Sequence, residues 1–305
     1  MRKNVKIIHN NETYYVNPNT GEVMDYDGKT VYIQTLEERK RTKEYFKKQK
    51  EKEKKAQQIN EQYKEYGNFV WSVYNINQQL FANIKPSNIT RLMYISTYLN
   101  YKGYLMYNQR TVMTKKNMSE LLRLSDRGFI YFYKDMIDNN ILQIQNNKIY
   151  INHDLFGKGS LPKNQIAKFV QNDKYITRLY IDGVRAFYDI STSRSHKTLS
   201  YLFQILPYVN REFNIVCFNP LEEDLDKVQC MSLGEFCNTI GYDYHNVKQL
   251  QKKLFDTTFT INGKITTAIG CVNTGLSNSD CKIFINPKVY YAGNQWDKVE
   301  VFKKF

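Results

Sequence analysis

Apolar and polar positions follow two periods along this chain, and the switches between them outline its elements. Residues 5–34 hold short strand-like runs, VKIIH, TYYVN and TVYIQ, separated by the turn-forming stretches NPNTGE and DYDG; they predict a small β segment over 1–35. The next stretch, LEERKRTKEYFKKQKEKEKKAQQINEQYKEY (36–66), is dominated by charge, and its apolar residues are too sparse for a coiled-coil seam. It predicts a solvated charged helix or linker, and a basic arm on DNA fits the same composition.

From residue 67 the pattern repeats. FVWSVYNINQQLFANIKPS (69–87) and YITRLYIDGVRAFYDISTS (175–193) place Tyr74/Tyr180, Phe81/Phe187, Ile84/Ile190 and Ser87/Ser193 at a constant offset. LMYISTYLNY (92–101) matches LSYLFQILPY (199–208) through Leu92/Leu199, Tyr94/Tyr201, Leu99/Leu206 and Tyr101/Tyr208. The second copy then inserts a longer polar loop, NPLEEDLDK (219–227), before TKKNMSELLRLSDRGFIYFYKDM (114–136) realigns with SLGEFCNTIGYDYHNVKQLQKKL (232–254).

This realigned part predicts helix, tight turn, helix in both copies. Thr114 and Ser232 stand at N-caps, and Glu235 completes a capping box with Ser232. Met118/Phe236 and Leu122/Ile240 stripe the first helix; Ser125/Asp243 cap the next; Phe129/Val247, Phe132/Leu250 and Met136/Leu254 form its buried edge. Arg123 occupies the turn position that Gly241 fills in the second copy. A hairpin follows each unit. The first is ILQIQNNKIYIN (141–152), turning at Asn146-Asn147; the second runs through KITTAIGCV, a loop NTGLSNSD, and CKIFINP (281–287). The expected fold is mainly α with β-hairpin wings (α+β), as tandem winged helix-turn-helix domains at 67–159 and 174–305, joined by a linker at 160–173.

The charge sharpens this picture. The chain has 305 residues and a net charge of +14, which favours a polyanionic partner, nucleic acid before an anionic membrane surface. No apolar run approaches the ~18 residues of a membrane span, and no secretory signal is evident, so no membrane partner is expected. The five cysteines, Cys217, Cys230, Cys237, Cys271 and Cys281, include no C-x-x-C pair and predict reduced thiols in a cytoplasmic protein.

The outward face of the second helix in copy two carries His245, Asn246, Lys248, Gln249 and Lys252, donors that can pair with base edges or, like Lys252 and Lys253, hold phosphates. The first copy offers Arg127, Ile130, Tyr131 and Lys134: cations for DNA, a side chain for a thymine methyl, and a phenol for a phosphate, although Ile130 and Tyr131 also fit packing against another domain. Lys148 beside the first hairpin turn, and Lys264 and Lys282 in the second hairpin, could follow the backbone; a solvated hairpin explains them equally. Enzymatic readings find little support. There are 4 histidines, without a His-x-His or His-Glu-x-x-His pair, and no Walker A motif. LEEDLD (221–226) reads as a charged surface loop rather than a metal site, and no cofactor is expected.

KIFINPKVYYAG (282–293), after a helix-turn-helix and wing, resembles the C-terminal signature of RepL-type plasmid replication proteins of Firmicutes and of related phage proteins described as MarR-like. NTGEVMD (19–25) and LFQILPYVN (202–210) resemble further parts of that family's pattern, and residues 174–293 carry most of the likeness; the first copy ends NHDLFGKG (152–159), without Asn-Pro. The resemblance implies double-stranded DNA binding in a plasmid or phage setting within a bacterial cytoplasm, with replication or transcription machinery as candidate partners. The residues themselves support a sequence-specific DNA binder, for which the resemblance and the tandem domains favour a replication-initiator-like role over a transcription-regulating one, and, from a different class, a winged-helix interaction scaffold. Oligomeric state stays open.

Overall fold

The computed structural model describes residues 5–9, 12–17, 19–20, 22–25, 36–75, 83–161, 163–172, 174–261, 263–273, 281–293 and 295–304. They divide into two compact units, Met1–Lys64 and Glu65–Phe305, of α+β character with small antiparallel sheets.

In the first unit, β1 (Val5–His9), β2 (Glu12–Val16) and β3 (Val23–Met24) form an antiparallel sheet in that order. The predicted turn between β2 and β3 is held by Asn17, whose Oδ1 accepts from the backbone N–H of Asn19 at 3.0 Å. The expected TVYIQ strand lies outside the described residues. The charged stretch is one helix, α1 (Leu36–Tyr66), on which Tyr45 and Phe46 are exposed.

In the second unit, strand follows the last residues of α1. β4 (Phe69–Asn75) leads to α2 (Pro86–Ser96), α3 (Lys115–Leu122), α4 (Asp126–Asp138), the hairpin β5 (Leu142–Gln145)–β6 (Lys148–Ile151), the short β7 (Phe156–Gly157) and α5 (Lys163–Gln171). α5 occupies the stretch expected as a linker. β8 (Lys174–Tyr180) then restarts the order with α6 (Ile181–Asp189), α7 (His196–Gln204), α8 (Leu233–Thr239) and α9 (Val247–Phe255). β9 (Thr258–Ile261), β10 (Lys264–Thr267), β11 (Ile269–Asn273), β12 (Cys281–Ile285), β13 (Tyr290–Tyr291) and a 3-10 helix (Trp296–Lys304) complete it. Most of the first-half segment matched to α6, residues 76–82, lies outside the described residues.

β4 and β8 pair antiparallel along their whole length, from Phe69↔Tyr180 to Asn75↔Lys174, as the inner strands of a sheet ordered β13-β8-β4-β7. Alternation sends Val70 and Leu179 into the main core. Trp71 and Val73 point the other way, beneath Phe169 of α5, while Tyr180 and Tyr291 are covered by Tyr66, Trp296 and Val299. Trp71 lies so close over β7 that a Cβ on Gly157 would fall 2.0 Å from its ring.

The repeat is visible in hydrogen bonds. Leu105 N–H donates to Ile149 O and Val216 N–H to Ile283 O, each at 2.8 Å, so a short segment adds a strand to β6 and to β12 alike. Each half closes on an asparagine. Asn152 accepts from Asp154 N–H and donates to Asn140 O; Asn286 accepts from Lys288 N–H and donates to Thr267 O. Asparagine is thus what NHDLF and NPKVY share, and the proline is incidental to this turn.

Three alignments need correction. Trp71 pairs with Gly157 as Arg178 pairs with Tyr291, so Arg178 is the counterpart of Trp71 and the strands align one residue away from the Tyr74/Tyr180 match. The bridges Leu99↔Leu105 and Val209↔Val216 make Val209, not Leu206, the counterpart of Leu99, because a 3-10 turn (Leu206–Tyr208) extends α7. KITTAIGCV is not one strand. β10 pairs with β9 and β11 with β12, and the chain changes partner at the buried Ala268. The β9–β10 hairpin is an addition absent from the first half, and Phe259 anchors it edge-on to Phe187 of α6. Its signal, Asn262-Gly263 between alternating runs, stands in the sequence. Reduced thiols hold for Cys217, Cys230 and Cys237 but not throughout, since Cys271 is in a disulfide.

The halves meet through α2 and α7 over a polar seam. Tyr94 stacks on Tyr188 at 3.9 Å, and Thr90 Oγ1 donates to His196 O at 2.8 Å. Arg91 donates from Nε to His196 Nδ1 at 3.2 Å and from Nη1 to Asn88 Oδ1 at 2.6 Å; Asn88 Nδ2 donates to Asp135 Oδ2 of α4, also at 2.6 Å. His196, 2% exposed, therefore offers Nδ1 as an acceptor. Burial first, then the cations Arg91 and Arg123, lower its pKa to about 4.

Arg123 closes the α3–α4 turn without glycine, as the sequence requires, by adopting φ 52. That left-handed backbone costs an L-residue about 1–2 kcal/mol. Its guanidinium repays the strain across the seam, donating to Tyr188 O at 2.9 Å and Asp189 O at 3.2 Å, while Tyr188 Oη donates to Leu122 O at 2.9 Å.

Two predictions follow from the seam. His196 has a depressed folded pKa, so the unfolded chain takes up its proton first, and stability should fall as pH drops from about 6.5 towards about 4. Urea unfolding across this window should show a shallower loss for His196→Gln than for the parent; equal slopes would contradict the assignment. In the second test, Arg123→Gly and Arg123→Ala both lose the guanidinium bonds, but only glycine relaxes the backbone, so it should be the milder change by about 1 kcal/mol. Gly241→Ala should cost about as much, because Gly241 sits at φ 68 with open space around the added carbon.

Candidate nucleic-acid interface

Two helix-turn-helix units carry the candidate residues. In the first, the Thr114 side chain accepts from Asn117 N–H while Asn117 Oδ1 accepts from Thr114 N–H, a reciprocal cap. Met118 and Leu122 are buried, as are Phe132 and Met136 of α4, whose N-terminus is capped by Ser125 through Gly128 N–H. The burial of that edge leaves Arg127, Ile130, Tyr131 and Lys134 exposed on the opposite side of α4. Ile130 is 63% and Tyr131 50% exposed.

Arg127 and Tyr131 are in direct contact. The Arg127 guanidinium lies 5.6 Å from the Tyr131 ring centre, and Lys85 Nζ lies 5.5 Å from it, so two cations approach one ring. Lys85 escaped the sequence reading because it lies ahead of α2, far from α4 in the chain; only packing brings it there. The acidic Asp135 of α4 is turned inward and engaged by Asn88 and by Lys85 N–H, which keeps its charge off the exposed face.

In the second unit, the expected capping box is present: Ser232 Oγ accepts from Glu235 N–H, and Glu235 Oε2 accepts from Ser232 N–H at 2.7 Å. These bonds from Ser232, backbone first and side chain second, hold the Glu235 pKa below its usual value. Gly241 closes the turn in the left-handed region. Asp243 does not cap α9 directly. Its carboxylate accepts from His245 N–H and Asn246 Nδ2 and organises a 3-10 turn, Tyr244–Asn246, ahead of the helix. His245 is exposed on that turn and Asn246 is half-buried. Val247, Leu250 and Leu254 are buried, leaving Lys248, Gln249, Lys252 and Lys253 exposed on α9.

The hairpin lysines separate. Lys148 is half-buried, its Nζ 4.6 Å over the Tyr104 ring, a position that braces the β5–β6 hairpin. Lys264 belongs to the added β9–β10 hairpin, beside the turn at Gly263, and not to the hairpin that holds Lys282 on β12. In the LEEDLD loop two carboxylates serve their own chain: Glu222 accepts from the N–H groups of Glu223 and Asp224, and Asp224 pairs with Lys227 at 2.9 Å.

Both units therefore present cations on helices whose other side is locked into a core, joined by a phenol, Tyr131, in the first and an amide, Gln249, in the second, chemistry suited to phosphates and base edges. No helix among the described residues is long and apolar enough to cross a membrane. Neither a family model, nor a curated protein, nor a solved structure matches the chain.

Proposed function

We propose that Glu65–Phe305 comprises two winged-helix halves that bind double-stranded DNA in a sequence-specific manner, with α4 and α9 as the reading helices and the β5–β6 and β11–β12 hairpins as wings. The observation that carries this reading is the double occurrence of a capped helix-turn-helix whose second helix buries its apolar edge and exposes Arg127 and Lys134 in one half and Lys248, Gln249 and Lys252 in the other. The net charge of +14 supports the same partner. On the RepL-like ending KIFINPKVYYAG, the role proposed is that of a replication-initiator-like protein of a plasmid or phage; a transcriptional regulator of such an element would use the same surface. A scaffold role for the first half has one observation in its favour, the exposed pair Ile130 and Tyr131.

Binding should be strongly salt-dependent. About 6–10 phosphate contacts would lower affinity roughly 10³–10⁵-fold between about 50 and 200 mM salt. A titration giving a nearly flat dependence would remove the DNA-binding reading.

The two classes of contact should also separate. Lys248→Ala combined with Gln249→Ala should weaken binding to a selected site more than to random duplex, whereas Lys252→Ala should weaken both alike. Equal losses on the two duplexes for the double variant would cancel the base-reading assignment of that helix face.

A further inference from the structure

The two halves face each other across a local two-fold axis, and the register of the central sheet locates it. Trp71 of β4 lies opposite Arg178 of β8. On the outer sides, Trp71 lies opposite Gly157 of β7, and Arg178 opposite Tyr291 of β13. One residue on, Ser72 faces Phe156 and Leu179 faces Tyr290. Trp71 and Arg178 are therefore both partners and counterparts. The rotation that exchanges them also carries the pair Val70↔Leu179 onto Thr177↔Ser72, which is itself a pair of the ladder. The axis runs through the Trp71–Arg178 pair, normal to the sheet. The counterpart helices α2 and α7 pack on each other on the inner side, as such an axis requires.

The rest of each half repeats the same local features. Thr114 and Ser232 cap counterpart helices, Arg123 and Gly241 take the same left-handed turn, and Asn152 and Asn286 make the same bonds. α4 and α9 thus hold counterpart places in their own halves.

We propose that one chain recognises an inverted, non-identical pair of half-sites, with α4 on one and α9 on the other. This rests on the DNA-reading role proposed above. Duplex DNA has its own two-fold axes perpendicular to the helix. A protein whose reading helices are related by a two-fold meets successive major grooves, about 34–36 Å apart, with opposite polarity, and this is why two-fold dimers read inverted repeats. Two domains related by simple translation would read direct repeats instead. Here the two-fold lies inside a single chain whose halves have diverged. Ile130, 63% exposed, offers apolar surface for a thymine methyl, whereas Gln249 offers an amide that matches adenine. The half-sites are therefore inverted in direction and different in sequence, which fixes the way round in which the chain lies on its site.

The test uses the full chain. A random-sequence duplex pool is selected to a consensus, and that duplex is rebuilt with one half reversed into a direct repeat at unchanged spacing, and with about half a helical turn (~5 bp) inserted between the halves. Both rebuilt duplexes should bind at least about 10-fold more weakly. Arg127→Ala should relax the preference in one half only and Gln249→Ala in the other only. Equal or tighter binding of the direct repeat, or both substitutions acting on the same half, overturns the inverted arrangement while leaving DNA recognition standing. If no selected duplex binds better than random DNA, sequence-specific recognition falls, and the inverted site with it.

Discussion

The fold of Glu65–Phe305 depends on the pairing of β4 with β8. Each half contributes one seven-residue strand and one two-residue edge strand to the central sheet. Taken alone, a half would keep only the short pairing of β4 with β7, or of β8 with β13, too little for an independent sheet. Joined, the strands present one face to the core and the other to the helices that end each half, α5 over Trp71 and the 3-10 helix over Tyr291. The strands are distant in sequence, so this pairing closes a long loop and orders the two halves relative to each other at the same time. Two domains that could have been joined by a tether become one body.

The seam between α2 and α7 adds direction to that pairing. A purely apolar contact tolerates sliding, whereas a buried hydrogen-bonded chain is satisfied in one arrangement. Arg91, Asn88, His196 and Asp135 form such a chain, with Asn88 and His196 buried and Arg91 and Asp135 half-buried, and it reaches α4. Arg123 adds a second tie from the α3–α4 turn to the end of α6. The exposed face of α4 is consequently set by residues of both halves, so the orientation of a proposed reading helix is fixed by the same contacts that hold the halves together.

Divergence between the halves is concentrated away from this frame. The loop after the strand at Val216 is long and acidic, with Phe218, Leu221 and Leu225 exposed, where the first half has a short link carrying Arg110. The β9–β10 hairpin is a second addition, rooted by Phe259. The capping residues Thr114 and Ser232, the asparagines Asn152 and Asn286 and the apolar helix edges repeat, whereas the polar seam residues and the exposed ones do not, the pattern expected when local packing constrains one set and the other is free to specialise.

Much of the local structure was legible in the sequence because it is set by near neighbours. Capping side chains bond backbone groups three residues away, so Thr114, Ser125, Ser232 and Glu235 announced their helices; Asn146-Asn147 announced a hairpin, and helical spacing marked Val247, Leu250 and Leu254 as the buried edge of α9. The exposed donors opposite that edge followed from the same geometry. Other features depend on partners far along the chain. FVWSVYN and YITRLY are strands because each completes the other, and no local period distinguishes them from the start of a helix. KITTAIGCV is an unbroken strand-like run without a turn signal, yet its halves pair with different strands. The inward turn of Asp135, the approach of Lys85 to Tyr131, and the two-fold that relates α4 to α9 exist only once the β4–β8 ladder has brought the halves together. Sequence determined the capped helices, the tight turns beside them and which sides of those helices are apolar, since those are settled within a few residues. Tertiary structure decided which strands pair and how the two helix-turn-helix units are oriented, since those are settled by contacts between segments that the chain itself keeps far apart.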